Sequence, residues 1–382
     1  MTNKRNLIGD ALAELVEQAR TGGPKVKVGL MAGGSELGAE ELLRGAVLAT
    51  AQDPRLQVVA IGAKMPGYDN LEWIETPNCE TDLVSAMESA LIDGRIGGAV
   101  ALHYPFPLGV TTIGRVLTPA QGKPLLIASC TGMSAPSRAE AMLRNAVYGI
   151  AVAKALGIGK PTVGILNLDG AVSVQRALVR LSESGYAVNF GSSVRADGGS
   201  LLRGNDLLTA AADVCVCDTL TGNVIVKLIS AFNTGGRFEA LGWGYGPSVG
   251  EGWGKIVNIV SRASGAPVIA NALCYTASLI RGELVCCVQR ELAAAKTAGL
   301  DEVISSLASK PGGMDEVSAP PPQPTDSEIP GIDVLSIDGA VKELWKVGIY
   351  AESAMGCTGP VVKVPGGSVE RSKEVLSKTG YL

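Results

Sequence analysis

One cysteine stands in a setting that favours chemistry. Cys357 lies between Gly356 and Gly359 in a stretch predicted to be a loop. Flanking glycines reduce steric cover, and backbone N–H groups directed at the sulfur favour the thiolate, which is the nucleophilic form. The pattern therefore predicts a reactive thiol. A tight turn with an incidental cysteine fits the spacing equally well.

The run from Asp218 to Lys227 joins a predicted strand to a predicted helix. The strand ends at Asp218, a turn uses Gly222, and the helix begins at Asn223. Lys227 then lies one turn along that helix, on the face of Asn223. A positive charge, an amide and a carboxylate above a sheet edge suit phosphate or an acyl oxyanion. The alternative has Asp218 or Thr221 capping the helix and Lys227 in solvent.

A glycine turn follows the first predicted strand. It carries Gly33, Gly34 and Ser35 and precedes a predicted helix whose free N–H groups would face an anion. The glycine spacing matches neither the Walker phosphate loop nor the dinucleotide fingerprint. A plain strand-to-helix turn is the alternative.

Other polar side chains follow predicted strand ends. Arg195 and Arg203 are candidate clamps for an anion, or surface ion pairs with Asp197 and Asp206. His103 is the single histidine, and a histidine ordinarily titrates near neutrality, so it is a candidate catalytic or substrate-binding residue. A hydrogen-bonded structural histidine is the commoner alternative.

The elements that must position these residues alternate along the chain. Short β-branched runs alternate with helical periodicity, which predicts an α/β fold: a mostly parallel three-layer α/β/α sandwich that binds ligands beyond the carboxyl ends of its strands. The predicted strands are 25–30, 58–61, 98–102, 125–128, 162–166, 187–190, 214–217 and 267–270. The predicted helices are 6–20, 38–50, 86–93, 137–156, 172–183, 223–230 and 277–297.

Three regions are predicted: a body at 1–309, a Pro-rich linker at 310–330, and a small C-terminal α+β unit at 331–382 that carries Cys357. The prolines exclude helix and sheet interior from the linker and favour an extended spacer. The unit is predicted as strand 332–336, helix 338–347, strand 349–352, loop 354–360, strand 361–364 and helix 368–378. So small a unit is marginal alone, so it is expected to dock on the body or on a partner.

Composition narrows the classes of function. The net charge is -4 and no basic patch stands out, which argues against nucleic acid as a partner. No signal-peptide pattern or membrane-length apolar run is evident, so the chain is expected to be soluble and cytoplasmic, without a membrane partner. The eight cysteines include no C-x-x-C pair, which argues against a metal site. Cys130, Cys215 and Cys217 are expected to be structural.

Several of these stretches resemble the phosphate acyltransferases of phospholipid synthesis. The similarity is carried by 28–38, by 144–149 with 161–168, and above all by 213–227, where Thr-Gly-Asn-x-x-x-Lys follows a strand that ends in Asp. The resemblance is closer to the alpha subunits of component C of glycine/sarcosine/betaine reductase complexes. In that family the same body precedes a Gly-Cys-Thr-Gly-Pro loop, as at 356–360, and the runs 103–104, 195–199, 244–247 and 261–265 are also similar.

This resemblance implies a role in anaerobic amino acid fermentation. In such complexes selenoprotein A carries a carboxymethyl group as a selenoether, and component C converts it to an acetyl thioester on a cysteine, from which phosphate releases acetyl phosphate. Carried over to this chain, the cysteine is Cys357. Lys227, Asn223 and the turn at 33–38 are expected to hold phosphate and the developing oxyanion. Further candidates for binding phosphate or substrate are His103, Arg195, Asp218 and Gly222.

The implied partners are selenoprotein A and the ketoacyl-synthase-like beta subunit of component C, with homo-oligomerisation as a further expectation. Inorganic phosphate is the implied substrate, and no bound cofactor is expected. Two alternatives remain open: a stand-alone acyl-thioester phosphotransacylase, and a non-catalytic scaffold for the beta subunit.

Overall fold

The computed structural model describes residues 16, 19–20, 22–196, 198–308, 318–333, 336–356 and 359–382. Within these ranges the chain forms one sheet of twelve strands, followed by a second sheet of three strands. The strands of the large sheet are β1 (Val26–Met31), β2 (Leu56–Gly62), β3 (Glu72–Glu75), β4 (Gly98–Ala101), β5 (Val110–Leu117), β6 (Pro124–Met133), β7 (Thr162–Leu166), β8 (Asn189–Phe190), β9 (Leu201–Leu202), β10 (Val214–Val216), β11 (Gly246–Gly250) and β12 (Val257–Ile259). The helices around it are α1 (Ala39–Gln52), α2 (Glu80–Ile92), α3 (Arg138–Ala155), α4 (Ala171–Glu183), α5 (Gly204–Thr209), α6 (Thr219–Ala231), α7 (Ala266–Arg281), α8 (Leu284–Thr297) and α9 (Leu300–Ala308).

The large sheet consists of two parallel groups that run in opposite directions. Its strand order is β3-β2-β1-β4-β12-β11-β5-β6-β10-β7-β8, with β9 beside β7. Neighbours are parallel from β3 to β12 and from β6 to β8. The pairings of β12 with β11, β11 with β5 and β5 with β6 are antiparallel. The prediction of a mostly parallel α/β sheet is therefore confirmed, with an antiparallel seam between its halves.

Helices cover both faces of this sheet, which explains the near-continuous apolar strands in the sequence. In β1, Val28 and Leu30 pack in one cluster with α1 and α7, whereas Met31 packs with α2 on the other face. In β10, Val214 packs with α3 and Cys215 packs in the cluster that includes α6. The body is thus a three-layer α/β/α sandwich.

Two predictions after residue 265 are wrong. Residues 267–270 are not a strand but belong to the first turn of α7. Pro267 is tolerated there because the N–H groups of the first helical turn have no partner within the helix. The single helix predicted at 277–297 is two helices, α7 and α8, which are separated at Gly282 and Glu283. The break between the two helices lies where α3 approaches Gly282 closely. A Cβ on Gly282 would lie 1.9 Å from the carbonyl oxygen of Ala155.

The C-terminal unit has its own sheet and core. Its strands β13 (Ser327–Pro330), β14 (Glu352–Gly356) and β15 (Gly359–Val364) form an antiparallel sheet in the order β13-β15-β14. Two helices, α10 (Ile337–Lys346) and α11 (Val369–Lys378), pack their apolar side chains against it. The α+β character predicted for this unit agrees with these elements.

The boundaries predicted around this unit need correction. The last residues of the predicted linker form strand β13. Pro330 is compatible with this strand because β13 lies at the edge of its sheet, where a proline is tolerated. The first described strand of the unit is 327–330; of the strand predicted at 332–336, residues 332, 333 and 336 are not in a strand and 334–335 lie outside the described residues. The predicted loop at 354–360 is mostly the ends of β14 and β15. Cys357 and Thr358, between those ends, lie outside the described residues, as do 309–317 of the linker and almost all of the predicted helix at 6–20.

Arg176 of α4 joins the C-terminal unit to the body. Its Nη2 donates to the carbonyl oxygens of Gly331 at 2.8 Å and Tyr381 at 2.7 Å, and its Nη1 donates to the carbonyl oxygen of Gly380 at 3.3 Å. One guanidinium therefore satisfies backbone acceptors from both ends of the unit.

None of the helices in the described part of the chain is by itself long and apolar enough to cross a membrane. Helices α7 and α8 meet the length and composition requirement only as a pair, which is bent by 62°.

Candidate active site

A cleft of about 370 Å³ lies where the two halves of the sheet meet. It brings together three of the predicted site residues, His103, Asn223 and Lys227. Its walls come from the ends of β4, β6 and β12, from α6, and from the residue before β11. The other lining residues are Leu102, Tyr104, Phe106, Thr131, Gly132, Tyr245, Ile259, Val260 and Ser261.

Lys227 is held in the cleft by a buried carboxylate. Its Nζ lies 3.2 Å from Oε1 of Glu239 and donates to Oγ of Ser261 at 3.1 Å. Glu239 is only 1% exposed, and it also accepts hydrogen bonds from the hydroxyls of Tyr245 at 2.7 Å and Ser264 at 2.9 Å. A buried carboxylate is costly without such partners, so the network fixes the position of the ammonium. An ammonium has three N–H groups, so one remains for an anion after these two contacts.

The start of α6 differs from the prediction. Asp218 is the N-cap, and its carboxylate accepts from the backbone N–H of Thr221 at 3.1 Å and from the Thr221 hydroxyl at 2.8 Å. The helix therefore begins at Thr219 and not after a turn at Gly222. Asp218 has the capping role that was the alternative interpretation, and it is not among the described residues that line the cleft.

Gly222 and Asn223 pack α6 closely against strand β6. Gly222 lies in the first turn, where a Cβ would come within 1.8 Å of the carbonyl oxygen of Ser129. The side-chain Nδ2 of Asn223 donates to the carbonyl oxygen of Cys130 at 3.1 Å. One amide N–H of Asn223 is thereby used for positioning, and the second is available to a ligand.

The glycine turn lies beside the cleft rather than in its wall. Gly33, Gly34 and Ser35 are not among the described lining residues. The Ser35 hydroxyl donates to the carbonyl oxygen of Arg262 at 3.3 Å, and the backbone N–H of Glu36 donates to the same oxygen at 2.9 Å. The turn therefore supports the loop that carries Ser261.

The helix after this turn begins with acidic side chains, and an anion site there stays a prediction. Gly38 is the N-cap of α1, and the first turn contains Glu40 and Glu41, whose charges repel an anion. Oε1 of Glu41 accepts the backbone N–H of Ala266 at 2.8 Å, so this helix end is committed to packing against α7.

His103 lies at the mouth of the cleft in a small charged cluster. Its Nε2 is 3.4 Å from Oε1 of Glu80, and Oε2 of Glu80 is 3.5 Å from Nη2 of Arg262. All three side chains are about half exposed. His103 is thus placed to meet a ligand as it enters.

Two aromatic side chains, Tyr104 and Phe106, also line the cleft, and Trp253 packs against them. The ring centroids of Tyr104 and Phe106 are 4.9 Å apart, and those of Phe106 and Trp253 are 6.1 Å apart. Burial, together with the hydrogen bond to Glu88 at 2.5 Å, raises the pKa of Tyr104. Hydrogen bonds from Lys255 and Tyr104 lower the pKa of Glu88. The cleft therefore combines the ammonium of Lys227, which is paired with Glu239, with aromatic side chains, and this combination suits a ligand with an anionic group and a short apolar group.

Arg195 does not line this cleft. With Arg203 it lines a second cavity, between the body and the C-terminal unit. Asp197, a predicted partner of these arginines, lies outside the described residues. The other predicted partner, Asp206, is buried and accepts the backbone N–H of Arg203 at 2.7 Å. Of the predicted site residues, His103, Asn223 and Lys227 therefore line one cavity, and Arg195 lines another.

Three cysteines of the body fit the structural role that was expected for them. Cys130, Cys215 and Cys217 are fully buried in one apolar cluster. Burial raises the pKa of Cys215 to about 12, and burial also raises the pKa values of Cys130 and Cys217. These thiols are therefore protonated at neutral pH and are poor nucleophiles.

We expect iodoacetamide at neutral pH to modify Cys79 and Cys286 in the native chain and to spare Cys130, Cys215 and Cys217. The first two are exposed and the last three are buried, and labelling requires a thiolate that can reach the reagent and displace its iodide. Peptide mass spectrometry after timed labelling measures each site, with a denatured sample as the control in which all five react. Native labelling of Cys215 at the rate of Cys79 would contradict the burial.

Sequence reasoning missed Glu239, Ser261 and Tyr245 as site residues. Glu239 stands alone between Phe238 and Ala240 in an apolar run, and a lone acidic residue in such a run is buried only with partners. That signal marks Glu239 as unusual but does not reveal which lysine it meets, because the pairing joins distant segments.

Comparisons with known proteins show which family the chain resembles. The family profile described as fatty acid synthesis protein matches residues 26–363. The glycine/sarcosine/betaine reductase complex component C subunit alpha of Peptoclostridium acidaminophilum is 46% identical over 387 residues, which cover 100% of both chains. The phosphate acyltransferase of Thermotoga petrophila is 25% identical over 236 residues, which cover 53% of this chain and 67% of that one.

Among solved structures, a branched-chain phosphotransacylase from Enterococcus faecalis aligns with a TM-score of 0.49 and 18% identity. The alignment covers 67% of this chain and 99% of that chain.

Proposed function

Because the chain belongs to the fatty acid synthesis protein family, and within it to the component C alpha subunits of glycine/sarcosine/betaine reductase complexes, we propose that it transfers an acyl group from a thioester to inorganic phosphate. The observation that carries this proposal is the cleft in which Glu239 holds the Lys227 ammonium beside the Asn223 amide. Such fixed donors suit a reaction that brings a phosphate anion to a developing oxyanion.

The proposed reaction is a single displacement at the thioester carbonyl. A phosphate oxygen attacks the carbonyl carbon and forms a C–O bond; the tetrahedral oxyanion then collapses, the C–S bond breaks, and the thiolate leaves. Lys227 offsets the phosphate charge, and the second N–H of Asn223 is positioned to donate to phosphate or to the oxyanion. The aromatic wall formed by Tyr104 and Phe106 receives the acyl group and keeps water away from it.

In the proposal the thioester is formed on Cys357 and the acyl group is acetyl. Support comes from the Gly-Cys-Thr-Gly-Pro run at 356–360 and from the full-length similarity to a component C alpha subunit. The buried thiols of the body are unsuited to the task because their pKa values are raised. The partners proposed to supply the group are selenoprotein A and the component C beta subunit, and a cytoplasmic location stays a prediction.

The test is mass spectrometry of the assembled complex under turnover. We expect an acetyl adduct on the peptide that contains Cys357, and we expect Cys357→Ser to abolish acetyl phosphate formation because an oxygen ester lacks the group-transfer reactivity of a thioester. Cys286→Ser is the matched control, since it removes an exposed thiol from the body and is expected to leave the rate unchanged.

Two outcomes would redirect the proposal. An adduct on another cysteine, with Cys357→Ala still active, would remove the assignment of the thiol. Wild-type rates for Cys357→Ser with a soluble acyl thioester would favour a stand-alone phosphotransacylase.

A further inference from the structure

The contact between Arg176 and the C-terminal unit holds both ends of that unit against one helix of the body. The carbonyl oxygens that the guanidinium binds belong to Gly331, directly after β13, and to Gly380 and Tyr381, after α11. Helix α4 is itself fixed, because its apolar side chains are buried in the core of the body. The unit is therefore attached to a rigid part of the structure.

The guanidinium binds the end of the small sheet that is next to the reactive cysteine in the sequence. Pro330 pairs with Val361, so Gly331 lies beside the first residues of β15. That strand begins at Gly359, two residues after Cys357. Val361 and Gly359 are two residues apart, which is a span of about 7 Å in a strand. The contact therefore restrains the end of the sheet from which the chain leads to Cys357.

This end of the unit rests at the sheet edge that also carries the Lys227 cleft. Gly331 and Pro360 line the cavity between the unit and the body together with Asn167, which directly follows β7. Strands β7, β10 and β6 are parallel neighbours, so their carboxyl ends share one edge. Thr131, near the carboxyl end of β6, lines the cleft. Neighbouring strands are about 4.8 Å apart, so the strand under the docked unit and the strand under the cleft are separated by about 10 Å.

We propose that Arg176 is a positioning residue for the acyl transfer: it keeps the C-terminal unit docked beside the cleft, so that the Cys357 thioester meets bound phosphate as an intramolecular reactant. The inference rests on the proposed function, because it requires the acyl group to be on Cys357. A tether alone raises the frequency of encounter, and docking raises it further because fewer orientations have to be searched. Arg176 is not among the described residues that line the cleft, so it acts through the position of the unit.

A guanidinium suits this task better than an ammonium. Its N–H groups form a planar fork that reaches several acceptors at once, whereas lysine donates from a single nitrogen. Burial lowers the pKa of Arg176, and the charge of Asp333 raises it in part. A buried carboxylate of the unit therefore also lies near the guanidinium. Arg176→Lys keeps the charge but not the fork, so it is expected to preserve only part of the docking.

Single-turnover formation of acetyl phosphate by the assembled complex, measured at a series of phosphate concentrations, tests this role. We expect Arg176→Gln to lower the rate at saturating phosphate by about tenfold or more, the effect of losing one charged hydrogen bond from the docked state. We expect the half-saturating phosphate concentration to stay unchanged, because phosphate binds in the cleft. Arg176→Lys is expected to give an intermediate rate.

Hydrogen exchange on the same variants shows whether the unit is released. We expect Arg176→Gln to speed amide exchange in 327–332 and 376–382 by about tenfold and to leave exchange in α6 unchanged. Arg180→Gln is the matched control, because it removes an exposed arginine one turn further along α4. It is expected to keep both the wild-type rate and the wild-type exchange.

Three results would overturn the inference: a wild-type rate in Arg176→Gln, unchanged exchange in its C-terminal unit, or a half-saturating phosphate concentration that rises in step with the loss of rate. Exchange in α6 reports the fold of the body, so a variant that fails to fold is recognised, and Arg176→Lys then decides. A wild-type complex that forms no acetyl phosphate from Cys357 would instead remove the proposed function and this inference with it.

Discussion

Replacing Lys227 with methionine is expected to lower the rate of acyl phosphate formation by about 10²- to 10³-fold, the usual effect of losing one fixed donor at a developing oxyanion. Methionine keeps most of the volume of the side chain and removes the charge that offsets phosphate. Single-turnover release of acyl phosphate by the assembled complex measures the effect directly. Turnover at the wild-type rate would exclude Lys227 from the reaction.

A matched control exists elsewhere in the body. Lys154 pairs at 2.7 Å with Glu291, a mostly buried carboxylate that also accepts from the Tyr186 hydroxyl at 3.1 Å. This set repeats the Lys227, Glu239 and Tyr245 arrangement outside the cleft. Lys154→Met therefore imposes a similar loss on the fold and is expected to leave the rate per folded molecule unchanged.

The role of Glu239 follows from the same measurement. Glu239→Gln removes the charge that holds Lys227 but leaves the lysine present, so we expect a smaller loss than for Lys227→Met. Because the two residues are in contact, the double variant is expected to be no slower than Lys227→Met alone. Losses that multiply would show that Glu239 acts on the reaction independently of Lys227.

What the sequence could predict was the local part of the site. Asn223 and Lys227 are four residues apart, so any helix through them puts both on one face, and both line the cleft. The first residue of that helix could not be predicted from the neighbouring sequence alone. Asp218 and Gly222 are each compatible with a turn or a cap, and the close approach of the Ser129 carbonyl decides between them.

The features of the site that depend on contacts between distant segments could not be predicted from the sequence. The α/β alternation predicts parallel strands, but β5 and β11 join the sheet as antiparallel neighbours and separate its halves. That seam places the Lys227 cleft between the halves and leaves Arg195 at a different cavity. Single-sequence reasoning treats all strand ends as one edge, so it joined residues that the fold keeps apart. The pairing of Glu239 with Lys227 depends on the same long-range geometry.

The second large effect is expected from Gly222→Ala, which should destabilise the fold by about 3 kcal/mol or more. The new Cβ would lie 1.8 Å from the carbonyl oxygen of Ser129 and 3.0 Å from Sγ of Cys217, and neither the strand nor the buried thiol has room to retreat. Chemical unfolding of the purified chain measures the loss.

Gly204→Ala is the control for this substitution. Gly204 opens α5, and a methyl group added there would have nothing within 4 Å, so alanine is expected to be neutral or to stabilise by about 0.5 kcal/mol. If Gly222→Ala folds by shifting α6 outward, Asn223 and Lys227 move with the helix and acyl transfer should fall even though the chain stays folded. A Gly222→Ala variant with wild-type stability and wild-type turnover would contradict the close packing of this helix on the strand, and with it the geometry on which the cleft depends.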